Sequence, residues 1–161
     1  MRSLAPALHW IAGLLLLVAL PPTVLPAQDV RELGIQALGT FADVAFWGGG
    51  FYGGRRWGEH LRTALTGSFG VERGELAARG ELLGHFLISG RSARHPTVYG
   101  LAGLAGVAGP EGHGWLVAGL GLETQPGAGS GWAIELGVGG GVRVAAAYRW
   151  RWFPRGWAPG D

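Results

Sequence analysis

Ten charged side chains could carry ion chemistry in this chain, because they fall on one parity of strand-like segments. The set is Arg62, Glu72, Glu75, Arg79, Glu81, Glu123, Glu135, Arg143, Arg149 and Arg151. Alternate residues of a strand face the same side, so these ten are expected to share one interior. Five cations and five anions in one narrow space could form an ion path or gate. The alternative is a salt-bridge plug that fills the space.

The surroundings of one histidine partly resemble an acyl-transfer site. His85 is near Ser89, and Glu81 lies on the same strand parity. A working nucleophile needs a base within hydrogen-bond reach and a group that orients the base. Ser89 stands at a predicted strand end beside Gly90, and no second serine or aspartate supports it. We therefore predict that the protein is not an enzyme and has no catalytic residues.

The remaining histidines do not indicate a metal site. His60, His95 and His113 fall in predicted turns, and their spacing is not that of metal ligands. Glycine-rich stretches such as Gly48 to Gly50 lack the lysine and the following helix of a phosphate-binding loop. We predict no metal and no cofactor.

The elements that position the charges are strands with one apolar and one charged or small face. The last segment shows this most clearly: Arg143, Arg149 and Arg151 alternate with an apolar set. That set is Val142, Val144, Ala146, Tyr148, Trp150 and Trp152. Eight such segments are predicted near residues 32–43, 46–57, 60–72, 74–88, 96–108, 114–125, 130–139 and 141–153. They predict an all-β fold, an eight-stranded antiparallel up-and-down barrel, whose narrow interior favours the plug.

Strand length and face composition favour a membrane barrel with its charges inside. A segment of about ten residues rises roughly 33 Å, and a tilt near 40° projects this to about 25 Å, the height of an outer-membrane apolar band. A soluble periplasmic barrel that binds a small ligand would place the charged parity in water. Its exterior would then consist largely of glycine and alanine apart from the charges, which disfavours that alternative.

Large aromatic residues cluster near segment ends, where a membrane barrel meets the lipid headgroups. They are Trp47, Trp57, Trp132, Tyr148, Trp150 and Trp152. Amphipathic rings prefer this level of a bilayer, so the set predicts interfacial girdles. A ring-lined carbohydrate site would need rings that converge on one cavity, and Trp150 and Trp152 instead share the outward parity.

Composition limits the remaining classes. The chain has 13 Lys+Arg and 11 Asp+Glu residues and a net charge of +2, without a basic run, which makes a nucleic-acid partner improbable. It has no cysteine, so the fold must hold without disulfides. Its 32 glycines are interleaved with Trp, Leu, Val and Tyr, as in tightly curved strands.

The N-terminal segment has the pattern of a secretory signal. Arg2 precedes an apolar core from Ile11 to Leu20, and Ala27 is a small residue at the expected cleavage point. An apolar run near ten residues is shorter than the roughly 20 that a spanning helix needs. We therefore expect a signal peptide over residues 1–27, a barrel domain over 28–153 and a short tail over 154–161.

Residues 28–153 resemble the small eight-stranded outer-membrane barrels of the OmpA/OmpX type. The resemblance rests on the signal segment, the strand count, the balanced interior charges and the final aromatic strand. It implies a monomer in the bacterial outer membrane, with membrane lipid as its surroundings and no nucleic-acid partner. It also implies an assembly signal, read by the barrel-assembly machinery, at Tyr148, Trp150, Trp152 and Phe153.

The implied role is structural or interactive, with a charge-plugged lumen; the alternative is a small channel gated by the Arg/Glu set.

Two features depart from the family. Pro154 to Asp161 extends past the aromatic end, where such chains usually stop. The longest predicted connection, Ser89 to Pro96, falls at the end that holds the chain termini, whereas long loops are normally at the other end.

Overall fold

The computed structural model describes residues 29–109 and 112–157, which form eight antiparallel strands. The strands are β1 (Asp29–Phe41), β2 (Phe46–Trp57), β3 (Leu61–Glu72), β4 (Glu75–Leu87), β5 (Thr97–Ala108), β6 (His113–Glu123), β7 (Ser130–Val138) and β8 (Val142–Trp152). Each strand pairs with its sequence neighbours, and β1 also pairs with β8, which closes an up-and-down barrel. The predicted fold and its eight strands are confirmed, although β1 begins at Asp29 rather than near residue 32.

Burial follows the two-residue alternation of the sequence along the strands. On β8, Arg143 and Arg149 are buried, whereas Val142 before them and Trp152 after them are exposed. On β7 the pattern is the same, with Trp132 59% exposed and Glu135 4% exposed. The barrel therefore has charged groups inside and apolar groups outside, the reverse of a soluble barrel.

The tightest connection is the two-residue turn between β3 and β4. Its residues, Arg73 and Gly74, have φ angles of 51° and 83°. Positive φ at both central positions defines a type I′ turn, whose twist matches that of the paired strands. This turn brings Glu72 and Glu75 opposite each other at the edge of the barrel.

Inward-facing glycines allow β2 and β3 to curve sharply past each other. A Cβ atom on Gly50 would lie 1.9 Å from the carbonyl oxygen of Gly67. A Cβ atom on Gly70 would lie 2.0 Å from that of Trp47. Neither position tolerates a side chain, since the clash is with backbone, so glycine is required where the backbones of β2 and β3 approach closely.

The two ends of the barrel differ in their connections. The end that holds both termini, here called the terminus end, carries connections 58–60, 88–96 and 124–129. The opposite end, here called the turn end, carries connections 42–45, 73–74, 109–112 and 139–141. The longest connection thus lies at the terminus end, as the sequence indicated.

The predicted signal segment lies outside the residues that the structure describes, and the predicted tail lies partly outside them. The signal segment, residues 1–27, and tail residues 158–161 lie outside the described residues. Residues 154–157 follow β8 without joining the sheet. Within the described part of the chain, no helix is long and apolar enough to cross a membrane.

Candidate functional site

The barrel interior is filled by charged side chains from seven strands, and it is the candidate site. Strand alternation turns every second residue inward, which buries a set of arginines and glutamates. The set is Glu32, Arg56, Arg62, Glu72, Arg79, Glu81, Glu123, Glu135, Arg143, Arg149 and Arg151. Charges removed from water in this way must be paired and hydrogen-bonded to be tolerated.

Glu32 and Glu123 organise the half of the network nearest the terminus end. Arg56 and Arg62 donate to Glu32 over 2.7 and 2.9 Å. Arg62 also donates to Glu123 over 2.6 Å, so one guanidinium joins both carboxylates. Arg149 and Arg151 complete the shell of Glu123 at 3.2 and 2.5 Å.

Glu81 and Glu135 organise the half nearest the turn end. Arg143 bridges them, at 2.7 Å from Glu81 and 2.9 Å from Glu135. Arg79 contacts Glu81 at 2.8 Å and donates to the carbonyl oxygen of Gly139 over 2.9 Å. Arg149 contacts Glu135 at 2.8 Å as well as Glu123, which makes the two halves one continuous network.

Two buried tyrosines hold the carboxylates from the side. Tyr52 donates to Glu32 over 3.3 Å, and Tyr99 donates to Glu135 over 2.8 Å. The Arg149 guanidinium lies 4.3 Å from the centre of the Tyr52 ring, a cation–π contact. These rings occupy the volume between the ion pairs, so the network is packed as well as charged.

His85 is a buried interior group with few polar partners among the described residues. Its Nε2 atom is 3.5 Å from Glu135, and its ring meets that of Tyr99 edge-on at 5.2 Å. Neither ring nitrogen has a hydrogen-bond partner within the described chain. Ser89 is exposed in the 88–96 connection and does not contact His85, so the pair that acyl transfer would need is not assembled.

Backbone segments cover the interior at the terminus end. Arg56 donates to the carbonyl oxygens of Gly90 at 2.5 Å and Pro126 at 3.1 Å, and Arg151 donates to that of Ala128 at 3.1 Å. The 88–96 and 124–129 connections also bond to each other, from the Gly127 amide to the Ser92 carbonyl oxygen at 2.7 Å. The arginines therefore hold a lid of loop backbone over the barrel.

The turn end is narrowed by apolar side chains instead. Leu38, Phe46 and Val107 are buried there in one cluster, with Trp115 packed against it. The Arg79 guanidinium lies 5.5 Å from the Trp115 ring centre, which joins this cluster to the ion network. Charged, aromatic and aliphatic groups thus fill successive levels of the interior.

Nine of the ten charges that the sequence assigned to the lumen point inward and are buried. The assignment of Glu75 is wrong. It is the first residue of β4, beside the Arg73–Gly74 turn, and it is exposed because the barrel wall ends there. Glu72 is buried at the same edge, near Gly109.

The sequence missed two central members of the network, Glu32 and Arg56. Arg56 follows Arg55, and neighbouring residues of a strand face opposite sides, so only one of the two can turn inward. Arg55 is the outward one, and it donates to Asp29. Residues paired directly across two strands face the same side of the sheet. The β1–β2 register pairs Asp29 with Trp57 and Val30 with Arg56, and Val30 is buried, so Arg56 is the arginine that turns inward.

The aromatic set lies on the outer face and is unevenly distributed. Trp57, Trp132, Trp150 and Trp152 lie toward the terminus end, as does Tyr148, and Trp47 lies toward the turn end. Tyr148 meets Trp132 and Trp150 at ring-centre distances of 5.1 and 5.2 Å. Phe153, just after β8, packs on Trp157 at 5.2 Å.

The described residues contain no group of three or more histidine, cysteine or acidic side chains arranged to hold a metal ion. His60 donates from Nδ1 to the Leu87 carbonyl oxygen over 2.9 Å, and His95 lies in the 88–96 connection. His113 begins β6, and its ring centre lies 5.5 Å from that of Trp115 with the two planes tilted by 56°. The interior network is therefore the site that the arrangement supports.

Comparison with solved structures finds the same barrel in another protein. The crystal structure of the N-terminal β-barrel domain of Pseudomonas aeruginosa OprF superposes with a TM-score of 0.57 at 14% identity. The match covers 75% of this chain and 97% of that domain. The two chains share one fold. The resemblance to OmpA-like eight-stranded barrels is therefore confirmed at the level of the fold.

Sequence comparisons add no closer assignment. No protein-family model matches the chain. No curated protein matches it at a significant level.

Proposed function

We propose that this chain is an integral barrel of the bacterial outer membrane, with a structural or interaction role and a closed lumen. The observation that carries the proposal is the inverted distribution of its side chains. Phe51, Leu116 and Leu120 on the outer face are 71%, 78% and 64% exposed, whereas Arg62 and Glu123 inside are fully buried. Water would disfavour that exterior and lipid would favour it.

The dimensions and the outer aromatics support the same environment. The strands have 9 to 13 residues, enough for a tilted strand to cross an apolar layer of about 25 Å. Tryptophans near the strand ends suit the headgroup level on either side. A soluble periplasmic barrel would leave these large apolar groups in water, which makes it the weaker candidate.

The closed interior supports a structural or interaction role over transport. Ion pairs, aromatic rings and the loop lid occupy the space along the barrel axis. The turn end carries connections 42–45, 73–74, 109–112 and 139–141, which are too short to display a large binding surface. With His85 and Ser89 apart and no metal cluster in the described residues, we also propose that the protein has no enzymatic activity.

The last strand supports a role for the barrel-assembly machinery in biogenesis. Tyr148, Trp150 and Trp152 line the outer face of β8, and Phe153 follows directly. We infer that this aromatic strand is the segment that the machinery reads. The same strand pairs with β1 and thereby closes the barrel.

Fractionation of cells that express the full chain tests the proposed location. We expect the protein in the outer-membrane fraction, with an unheated sample that migrates differently from a heated one on a denaturing gel, because a closed barrel resists the detergent. Recovery in the soluble periplasmic fraction would contradict the proposal and would favour the soluble ligand-binding alternative.

A small channel is the second candidate, and one observation favours it. The ionic network is continuous from Arg56 near the terminus end to Arg79 near the turn end, so exchange of partners could open a polar path. We expect no discrete openings when the purified, heat-modifiable protein is placed in a planar bilayer. Four central carboxylates are each already held by two or more donors: Glu32, Glu81, Glu123 and Glu135. Reproducible single-channel steps would contradict the closed lumen.

A further inference from the structure

An apolar groove crosses the outer face of β8, β1 and β2 in the half of the barrel nearest the terminus end. Its volume is about 360 Å³, and its walls include Leu33, Ile35, Phe51, Trp150 and Trp152. Gly53 pairs with Leu33 of the groove wall and contributes no side chain on that flank.

Local packing does not explain this glycine. A Cβ atom at Gly53 would come no closer than 3.9 Å to the Leu33 side chain or the Leu65 carbonyl oxygen, which is an ordinary contact. The wall would therefore accept a larger residue at this position. A leucine at position 53 would therefore extend toward the groove wall at Leu33.

Two outward arginines stand at the terminus end of this groove. Arg31 pairs in register with Trp152 on one side and with Arg55 on the other. This row is two residues, roughly 7 Å, beyond the row formed by Trp150, Leu33 and Gly53. The cations thus lie where the groove meets the headgroup level.

The charges at this position are unbalanced. Arg31 is exposed, and no acid among the described residues forms an ion pair with it. Arg55 donates to Asp29, and its guanidinium lies 4.2 Å from the Trp57 ring centre. Two guanidinium groups face one carboxylate, which leaves a net positive charge beside an apolar channel.

We propose that this groove and its two arginines form a binding site for one anionic phospholipid. An acyl chain lies along the groove, and the phosphate is held between Arg31 and Arg55. Guanidinium groups suit phosphate oxygens because they donate paired hydrogen bonds in a fixed plane. The site rests on the proposed function, since the groove must face the bilayer leaflet on the side of the termini.

Native mass spectrometry of the folded protein in detergent tests the charged half of the site. Phosphatidylglycerol and phosphatidylcholine with identical acyl chains are added in separate titrations. We expect preferential retention of phosphatidylglycerol. An Arg31→Gln, Arg55→Gln variant should bind it about twenty-five-fold more weakly, since each arginine near a lipid surface contributes about fivefold. Arg94→Gln, at an exposed arginine on the 88–96 connection, is the matched control and should retain the preference.

The apolar half is tested by filling the groove. Gly53→Leu is expected to weaken the binding of both lipids. Gly80→Leu, on the outer face of β4 where a Cβ atom also has room, should leave both unchanged. Equal retention of the two lipids by the unmodified protein would overturn the site, as would equal behaviour of the two leucine variants.

Insertion into vesicles, measured separately by flotation, distinguishes the two proposals. A protein that inserts but shows no preference among lipids loses only the lipid site. A heat-modifiable protein that fails to insert loses the proposed function itself.

Discussion

Glu123→Gln is expected to destabilise the folded barrel by about 3–5 kcal/mol, the usual cost of removing one partner from a buried ion pair. Glu123 is fully buried and accepts from Arg62, Arg149 and Arg151. Glutamine keeps the size of the side chain, but its NH₂ group is a hydrogen-bond donor. It would face guanidinium groups that are themselves donors and cannot accept from it. Three guanidinium groups would then share the remaining acceptors of the interior.

The measurement is the urea concentration at which half of the barrel is unfolded in lipid vesicles. The folded fraction is determined from the difference in migration between unheated and heated samples. Glu75→Gln is the matched control, because it makes the same substitution at an exposed glutamate beside the β3–β4 turn. We expect that control within about 0.5 kcal/mol of the unmodified protein. Equal midpoints for the two variants would mean that water screens the interior charges, and so would contradict a closed lumen.

The sidedness of the barrel could be predicted from sequence because it depends only on neighbours along a strand. On β8, Arg143, Arg149 and Arg151 share one parity with small residues, and the opposite parity is apolar. Strand geometry converts this pattern directly into an inner and an outer face. The same reasoning failed for Glu75. Its position in the two-residue alternation predicts an inward side chain, but the residue lies at the edge of the barrel, where the wall no longer covers it.

The pairing inside the barrel could not be predicted in this way. Arg62 on β3 joins Glu32 on β1 to Glu123 on β6, and the latter two residues are 91 positions apart in the chain numbering. Such contacts depend on barrel closure and on side-chain reach across the interior. The missed roles of Glu32 and Arg56 have the same origin, because the β1–β2 register decides which of two adjacent arginines turns inward.

The loop lid was also beyond sequence reasoning. The 88–96 connection was identified as long and at the terminus end, but its residues carry no signal for backbone hydrogen bonds from Arg56. Gly90 offers a partial clue. A Cβ atom there would lie 2.0 Å from the Glu59 carbonyl oxygen, so the loop can settle onto the barrel only with glycine.

Ile134→Arg is the second substitution with a large expected effect. Ile134 is the central residue of β7, faces outward and is 58% exposed. An arginine turned to lipid at the bilayer midplane costs roughly 2–4 kcal/mol, and the cost falls to about 0–1 kcal/mol near the interface. On the surface of a soluble barrel the same change would be nearly neutral, within about 0.5 kcal/mol.

Leu76→Arg provides the comparison that isolates the membrane. Leu76 is 89% exposed, also faces outward, and lies beside the β3–β4 turn at the edge of the barrel. The two variants thus place the same charge on the same face at different depths.

The most direct test of a lipid-facing exterior is the free energy of unfolding of both variants in lipid vesicles, measured by urea titration against the unmodified protein. The account predicts a loss of roughly 2–4 kcal/mol for Ile134→Arg and about 0–1 kcal/mol for Leu76→Arg. Equal, near-zero losses for the two would contradict it, because they would show that the middle of β7 faces water.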